Sequence, residues 1–197
     1  MMRPINWHQP GTLPSRTFVC GHCGNDVASE KGWYGNWPQN SSLKAYVYIC
    51  HRCTGATFFD VDEHQSPGVS FGNPVADIDD TSVAGLYDEA RSVVSASSYT
   101  AAVLCCRKLL MHIAVAKGAP VGKNFIEYVE YLTANHYVPP DAKGWVDHIR
   151  TKGNEANHEI VISSKTDAQE LISFLEMLLK VIFEFPAAVK RKTSAKP

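Results

Sequence analysis

Residues 16–61, RTFVCGHCGNDVASEKGWYGNWPQNSSLKAYVYICHRCTGATFFDV, hold two matched turns: Cys20-Gly21-His22-Cys23 and Cys50-His51-Arg52-Cys53. Gly24 follows the first pair and Gly55 the second. Such turns aim two thiolates at one ion, and two of them supply the four ligands of tetrahedral zinc. A rubredoxin-type iron site fits the same spacing, and a single CxxC serves as a redox dithiol. The matched pair points to a structural metal, held by Cys20, Cys23, Cys50 and Cys53, with His8, His22, His51 and His64 as alternates. Strand-like runs flank the turns at 16–19, 45–49 and 57–61. In the middle run Ala45, Val47 and Ile49 alternate with Tyr46 and Tyr48, as in a half-buried strand. Residues 1–65 therefore read as a small β zinc ribbon. A segment this short buries too little apolar surface to offset its chain entropy, so Zn2+ supplies folding energy.

Between the turns, Trp33, Tyr34 and Trp37 are bracketed by Gly32, Gly35 and Pro38, which predicts an exposed loop. Aromatic rings on a loop stack on bases or grip a peptide. The same rings also serve as the core of a ribbon.

The rest of the 197-residue chain has a different texture. Residues 66–82 are rich in Pro, Gly, Ser and Asp and read as a linker. From Val83 the spacing turns helical. Helices are predicted at 83–96, 99–117, 124–133, from about 141 through 158, and at 167–185. A capping box at Thr166 to Gln169 opens the last of these and Pro186 stops it. Their inward stripes include Leu86, Ala90, Val93 and Val94, then Ala102, Cys105, Cys106, Leu109, Leu110 and Ile113, then Phe125, Ile126, Val129 and Leu132. Cys105 and Cys106 read as core residues. Five helices joined by short turns predict an antiparallel bundle over 83–187, so the fold class is mainly α with the ribbon in front. Residues 188–197 form a basic tail.

Composition narrows the function. The formal net charge is -1, so bulk charge does not point to nucleic acid, and such a partner needs a local patch. No apolar run of bilayer-spanning length stands out, and MMRPINWHQPG lacks a signal-peptide core. A cytoplasmic protein without a membrane partner is expected, in which six cysteines serve as ligands or core rather than as disulfides.

One stretch of the helical half carries polar chemistry. In WVDHIRTKGNEANH, residues 145–158, Arg150, Asn154, Asn157 and His158 fall on one helical face. Solvated faces usually mix Lys and Glu instead. A buried polar network between helices, reaching Glu89 or Arg107, would use the same residues.

Leu86-Tyr87-Asp88-Glu89-Ala90, Tyr99-Thr100-Ala101-Ala102 leading to Arg107, and Ile149-Arg150 followed by Gly153-Asn154-Glu155-Ala156-Asn157-His158 together resemble the domain of unknown function family 4145. That family is similar to the HEPN superfamily of helical bundles, whose members are often found in bacterial restriction and phage-defence settings. The resemblance covers residues 83–187. It implies an HEPN-like, metal-independent RNA endonuclease acting as a homodimer, with a defence-system protein as a further partner. Arg150 would hold the phosphate, Asn154 would orient groups, and His158 would transfer the proton. Asn157 would contact nucleic acid or a partner. The family motif carries Arg immediately before the Asn, where this chain has Gly153, and the nearest arginine is Arg150, a turn earlier. The alternative is a catalytically inactive bundle that dimerises and binds nucleic acid or protein. A two-fold dimer through the Arg150–His158 helix would bring a second copy of the site across the cleft.

Overall fold

The computed structural model describes residues 5–139, 146 and 162–194. The chain folds as two compact units, Met1–Ser70 and Phe71–Pro197.

The first unit is a six-stranded antiparallel sheet: β1 (Asn6–Trp7), β2 (Gly11–Val19), β3 (Asp26–Trp37), β4 (Asn40–Ile49), β5 (Ala56–Phe59) and β6 (Gln65–Ser66). β3 is the organising strand. β1 and β2 line one of its edges and β4 the other, and β5 and β6 extend the sheet beyond β4. Its glycines look like turn signals in sequence, yet they mark close backbone approach. A Cβ on Gly32 would lie 1.8 Å from the Val47 carbonyl oxygen, and one on Gly35 would lie 2.3 Å from Ile5 Cγ2. Glycine is therefore what lets a twelve-residue strand run through a position predicted to be loop. The ribbon core gathers Leu13, Phe18, Val27, Tyr48 and Phe59 with Cys20 and Cys50, and Arg16 lies 3.7 Å over the Phe59 ring.

The second unit is helical: α1 (Thr81–Ser95), α2 (Tyr99–Ala116), α3 (Phe125–Ala134), α4 (Lys165–Leu179) and α5 (Phe185–Ser194). A π-helical turn, Lys180–Glu184, joins α4 to α5. Asp80 caps α1, accepting from the Ser82 and Val83 amides. Asn124 and Glu127 form a capping box at α3, and Ser164 and Asp167 form one at α4. The α4 box thus starts earlier than the Thr166–Gln169 pattern suggests. The carboxylate of Asp167 accepts more strongly than a neutral Gln169 amide can.

α2 is the central helix. Ala102, Cys106, Leu109, Leu110, Ile113 and Ala114 are buried against neighbours from α1, α3 and α4. Each large aliphatic side chain buried there contributes roughly 1.5–3 kcal/mol. By length and composition α2 could cross a membrane, which corrects the expectation that no run is long enough. Its apolar stripe is instead the core of this unit. Cys106 is fully buried and Cys105 half-buried in the same core, as their positions predict. Residues 71–78 also belong to this unit. Phe71, Val75 and Ile78 pack on the core, and Glu176 accepts from the backbone and side chain of Asn73.

The predicted five-helix bundle with a minor ribbon is not the architecture found. Among the described residues the helices of the second unit form four rods, α4 and α5 being one, and the first unit is a six-stranded sheet. Two departures from the predicted pattern have physical causes. The close-approach glycines hid β3, and Pro186 does not end the last helix. At Phe185 the backbone hydrogen bond widens by one residue, its N–H donating to the Lys180 carbonyl. That widening removes the clash a proline ring makes with the carbonyl four residues back. The predicted fourth helix lies, apart from the buried, helical Val146, outside the described residues.

Candidate metal centre

The two cysteine turns are the same structure twice. Each closes a hairpin whose last register pair is Val19 with Asp26, or Ile49 with Ala56. In the first, the Cys20 amide donates to the Asn25 carbonyl at 2.9 Å and the Gly24 amide to the Cys20 carbonyl at 2.8 Å. In the second, Cys50 donates to Gly55 at 3.0 Å and Thr54 to Cys50 at 2.9 Å. The residue after each second cysteine is left-handed, with φ 67° at Gly24 and 59° at Thr54.

This backbone brings the four sulfurs together. Cys20 Sγ lies 3.7 Å from Cys53 Sγ and Cys23 Sγ lies 3.9 Å from Cys50 Sγ, so both short pairs cross between turns. All four sulfurs lie within 4.8 Å of one another. A tetrahedron with zinc–sulfur bonds of about 2.3 Å has sulfur–sulfur edges of about 3.8 Å. Disulfide sulfurs would approach to about 2.05 Å. The spacing fits a tetrahedral metal and excludes a bridge.

The electrostatics agree with this fit. Side-chain and backbone donors of Asn25 pull Cys23 down to about 6. The backbone N–H groups of Cys53 and Arg52 lower Cys50. Cys53, although it accepts from the Gly55 amide, is pushed up to about 12 by burial and by the three neighbouring sulfurs. Four thiolates in one place repel, and a divalent cation is the chemistry that lets all of them ionise. With four protein ligands the coordination shell is closed, leaving no position for a water or substrate, so the role such a site supports is structural.

The surroundings lock the two turns to each other. His22 Nε2 lies 2.9 Å from the Ala56 carbonyl oxygen, and Arg52 Nη1 donates to Asn25 Oδ1 at 2.9 Å in the opposite sense. Gly55 is required here, because a Cβ would come within 2.5 Å of the His22 ring. Of the alternate ligands, His22 bridges the turns, and His8 stacks on Tyr34 with ring centroids 4.4 Å apart. His64 joins Asp60 and Asp62 in a second grouping of potential ligands. That grouping is a turn in which Asp60 Oδ1 accepts from the Asp62 and His64 amides. The grouping of the four cysteines was legible in the CxxC spacing. Thr54 in a glycine-like conformation carried no sequence signal.

The aromatic candidates lie on β3, not on a loop. Adjacent strand residues point to opposite faces, so Trp33 and Tyr34 are separated. Tyr34 joins the ribbon core face, flanked by His8 and with Lys44 5.4 Å over its ring. Trp33 sits in register with Val47, and Val47 with Phe58, on the other face. Trp37 follows a shift in register after Asn36. The other candidate residues, Arg150, Asn154, Asn157 and His158, lie outside the described residues. Of the suggested network partners, Arg107 lies over the Phe125 ring at 4.3 Å.

No curated protein and no solved structure matches the chain. A family model does match, over residues 88–195, which is more than half of the chain and nearly all of the helical unit. The chain belongs to the family described as Domain of unknown function (DUF4145).

Proposed function

We propose that this protein is a zinc-stapled recognition module: a four-cysteine ribbon that folds around Zn2+ and presents its aromatic strand to a nucleic acid or protein, joined to the helical family unit. The observation that carries this reading is the closed set of four sulfurs at tetrahedral spacing in two equivalent turns. Trp33 on one face of β3, and Tyr34 with the Lys44 cation on the other, supply partly exposed rings and charge for stacking. The test is binding of a fluorescent single-stranded RNA to zinc-loaded protein, against the Trp33→Ala and Tyr34→Ala variants. Loss of binding in zinc-loaded, folded variants supports the reading. Unchanged binding places recognition elsewhere.

A second reading rests on the sequence pattern at 150–158 together with family membership. The sequence spacing of Arg150, Asn154 and His158 would set them on one helical face and fits the parts of an HEPN-like, metal-independent endoribonuclease of a phage-defence setting. Here His158 would move the proton between a 2′-hydroxyl and the leaving oxygen, and Arg150 would offset phosphate charge. The test is RNA cleavage in a chelator too weak to strip the ribbon, with His158→Ala as control. Cleavage abolished in a variant of unchanged melting temperature supports this reading. A wild type that never cuts RNA rejects it.

A further inference from the structure

Among the described residues, the last rod of the helical unit carries a row of partly exposed apolar side chains. α4, the π turn and α5 run on continuously from Lys165 to Ser194. α4 buries Ala168, Leu171, Ile172, Phe174, Leu175, Leu178 and Leu179, whereas α5 has no buried residue. Phe185 is 54% and Val189 61% exposed, and Val181, four residues earlier, is half-buried. Met177 and Ser173 continue the same spacing. With Glu176, Lys180 and Phe185 they line an open concavity of about 330 Å³, wide enough for an aromatic ring. Val181, Phe185 and Val189 therefore form one apolar stripe along the rod, continued by Met177, which also packs on the core, and by the polar Ser173. A single exposed valine or phenylalanine is ordinary. A stripe that continues along the last ten residues of the rod, none of them buried, is not.

Charge selects the occupant. α4 carries Asp167, Glu170 and Glu176 against Lys165, and α5 carries Lys190, Arg191 and Lys192 with no acidic residue. Asp167, Glu170, Glu176 and Arg191 already have partners in the chain, Ser164 for Asp167, Lys180 for Glu176 and Asp77 for Arg191, but the two ends of the rod still differ in sign. An antiparallel copy of the same rod sets opposite signs against each other. With a two-fold axis beside Val181, Phe185 of each copy faces Met177 of the other, Val189 faces Ser173, and Lys192 faces Glu170. We propose that this stripe is the two-fold interface between two copies of the chain, the Phe185 ring of each seated in the concavity beside Met177 of the other. The interface differs from the one expected at residues 150–158, and it depends on neither the zinc nor the nuclease reading. Closed two-fold dimers with self-complementary faces are the commonest assembly.

The experiment is sedimentation velocity on the full zinc-loaded chain at micromolar concentration. The wild type is expected to dimerise, and Phe185→Glu with Val189→Glu to weaken the dimer by on the order of tenfold or more with the helical content and melting temperature retained. A wild type that stays monomeric, or a dimer indifferent to both substitutions, overturns the proposal. Should the double variant fold poorly, charge reversal decides: Lys192→Glu weakens the dimer and adding Glu170→Lys restores it. Absence of restoration between folded chains overturns the proposal equally.

Discussion

Gly24 and Thr54 occupy the same position of two superposable cysteine turns, at φ 67° and 59°. Each donates its amide to the carbonyl of the first cysteine of its turn. Only one of the two is the residue that this conformation favours.

Left-handed backbone costs a residue with a Cβ roughly 1–2 kcal/mol, partly offset by the greater chain entropy that glycine loses on folding. A Cβ at Gly24 meets nothing within 4 Å, so the backbone angle alone sets the cost there. Gly24→Ala is expected to destabilise the zinc-loaded ribbon by about 1 kcal/mol. Thr54→Gly should shift stability the other way by a smaller amount, because it also removes the hydroxyl that donates to the Cys53 carbonyl at 2.6 Å. Denaturant midpoints at saturating zinc measure both, and a stabilising Gly24→Ala contradicts the equivalence of the turns.

The purified protein is expected to carry about one zinc per chain. Cys20→Ser or a strong chelator should unfold the ribbon while the helical unit keeps its far-ultraviolet helical signal, since the two are separate compact units. Elemental analysis and circular dichroism together check this. Iron with a rubredoxin-type absorbance in place of zinc refutes the assignment.

Glu176 ties residues 71–77 to α4. Burial alone would raise its pKa, but Lys180 Nζ at 2.6 Å and the two donors of Asn73 at 2.8 and 3.0 Å hold it below the ordinary glutamate value. A depressed carboxyl contributes stability that is present above its unfolded pKa and is lost as pH falls through the folded one. Glu176→Gln is therefore expected to cost about 1–3 kcal/mol at neutral pH, and the gap to wild type should close below the ordinary glutamate range. Thermal melts across acid pH test it. A gap that persists at the acid end shows that the lost contact is not ionic.

Thr57 is fully buried on β5, and its hydroxyl has no hydrogen-bond partner among the described residues. Thr57→Val keeps the shape and removes the desolvated hydroxyl, so it should stabilise the ribbon by about 1 kcal/mol. Thr57→Ser keeps the hydroxyl and loses the methyl, and should destabilise by a similar amount. Equal effects of the two would point to a water bound at this hydroxyl.

Much of this molecule could be read directly from local pattern. The CxxC pairs named the four sulfurs, because ligand spacing within a turn is a local property of the chain. The apolar stripes of α1, α2 and α3 marked the core and placed Cys105 and Cys106 in it, because helical periodicity is set by residues three and four apart. What stayed hidden depends on contacts between segments far apart in sequence. Gly32 and Gly35 read as turn residues until Val47 and Ile5 are set beside them. The aromatic triplet read as one loop until β3 divided Trp33 from Tyr34. Pro186 read as a stop until the π turn opened the helix around it. Spacing alone therefore determined the four-sulfur cluster and the helical core. Only the tertiary structure decided which glycines admit a neighbouring strand, which face each ring takes, and how far the last helix runs, because each is settled by a neighbour that local sequence does not contain.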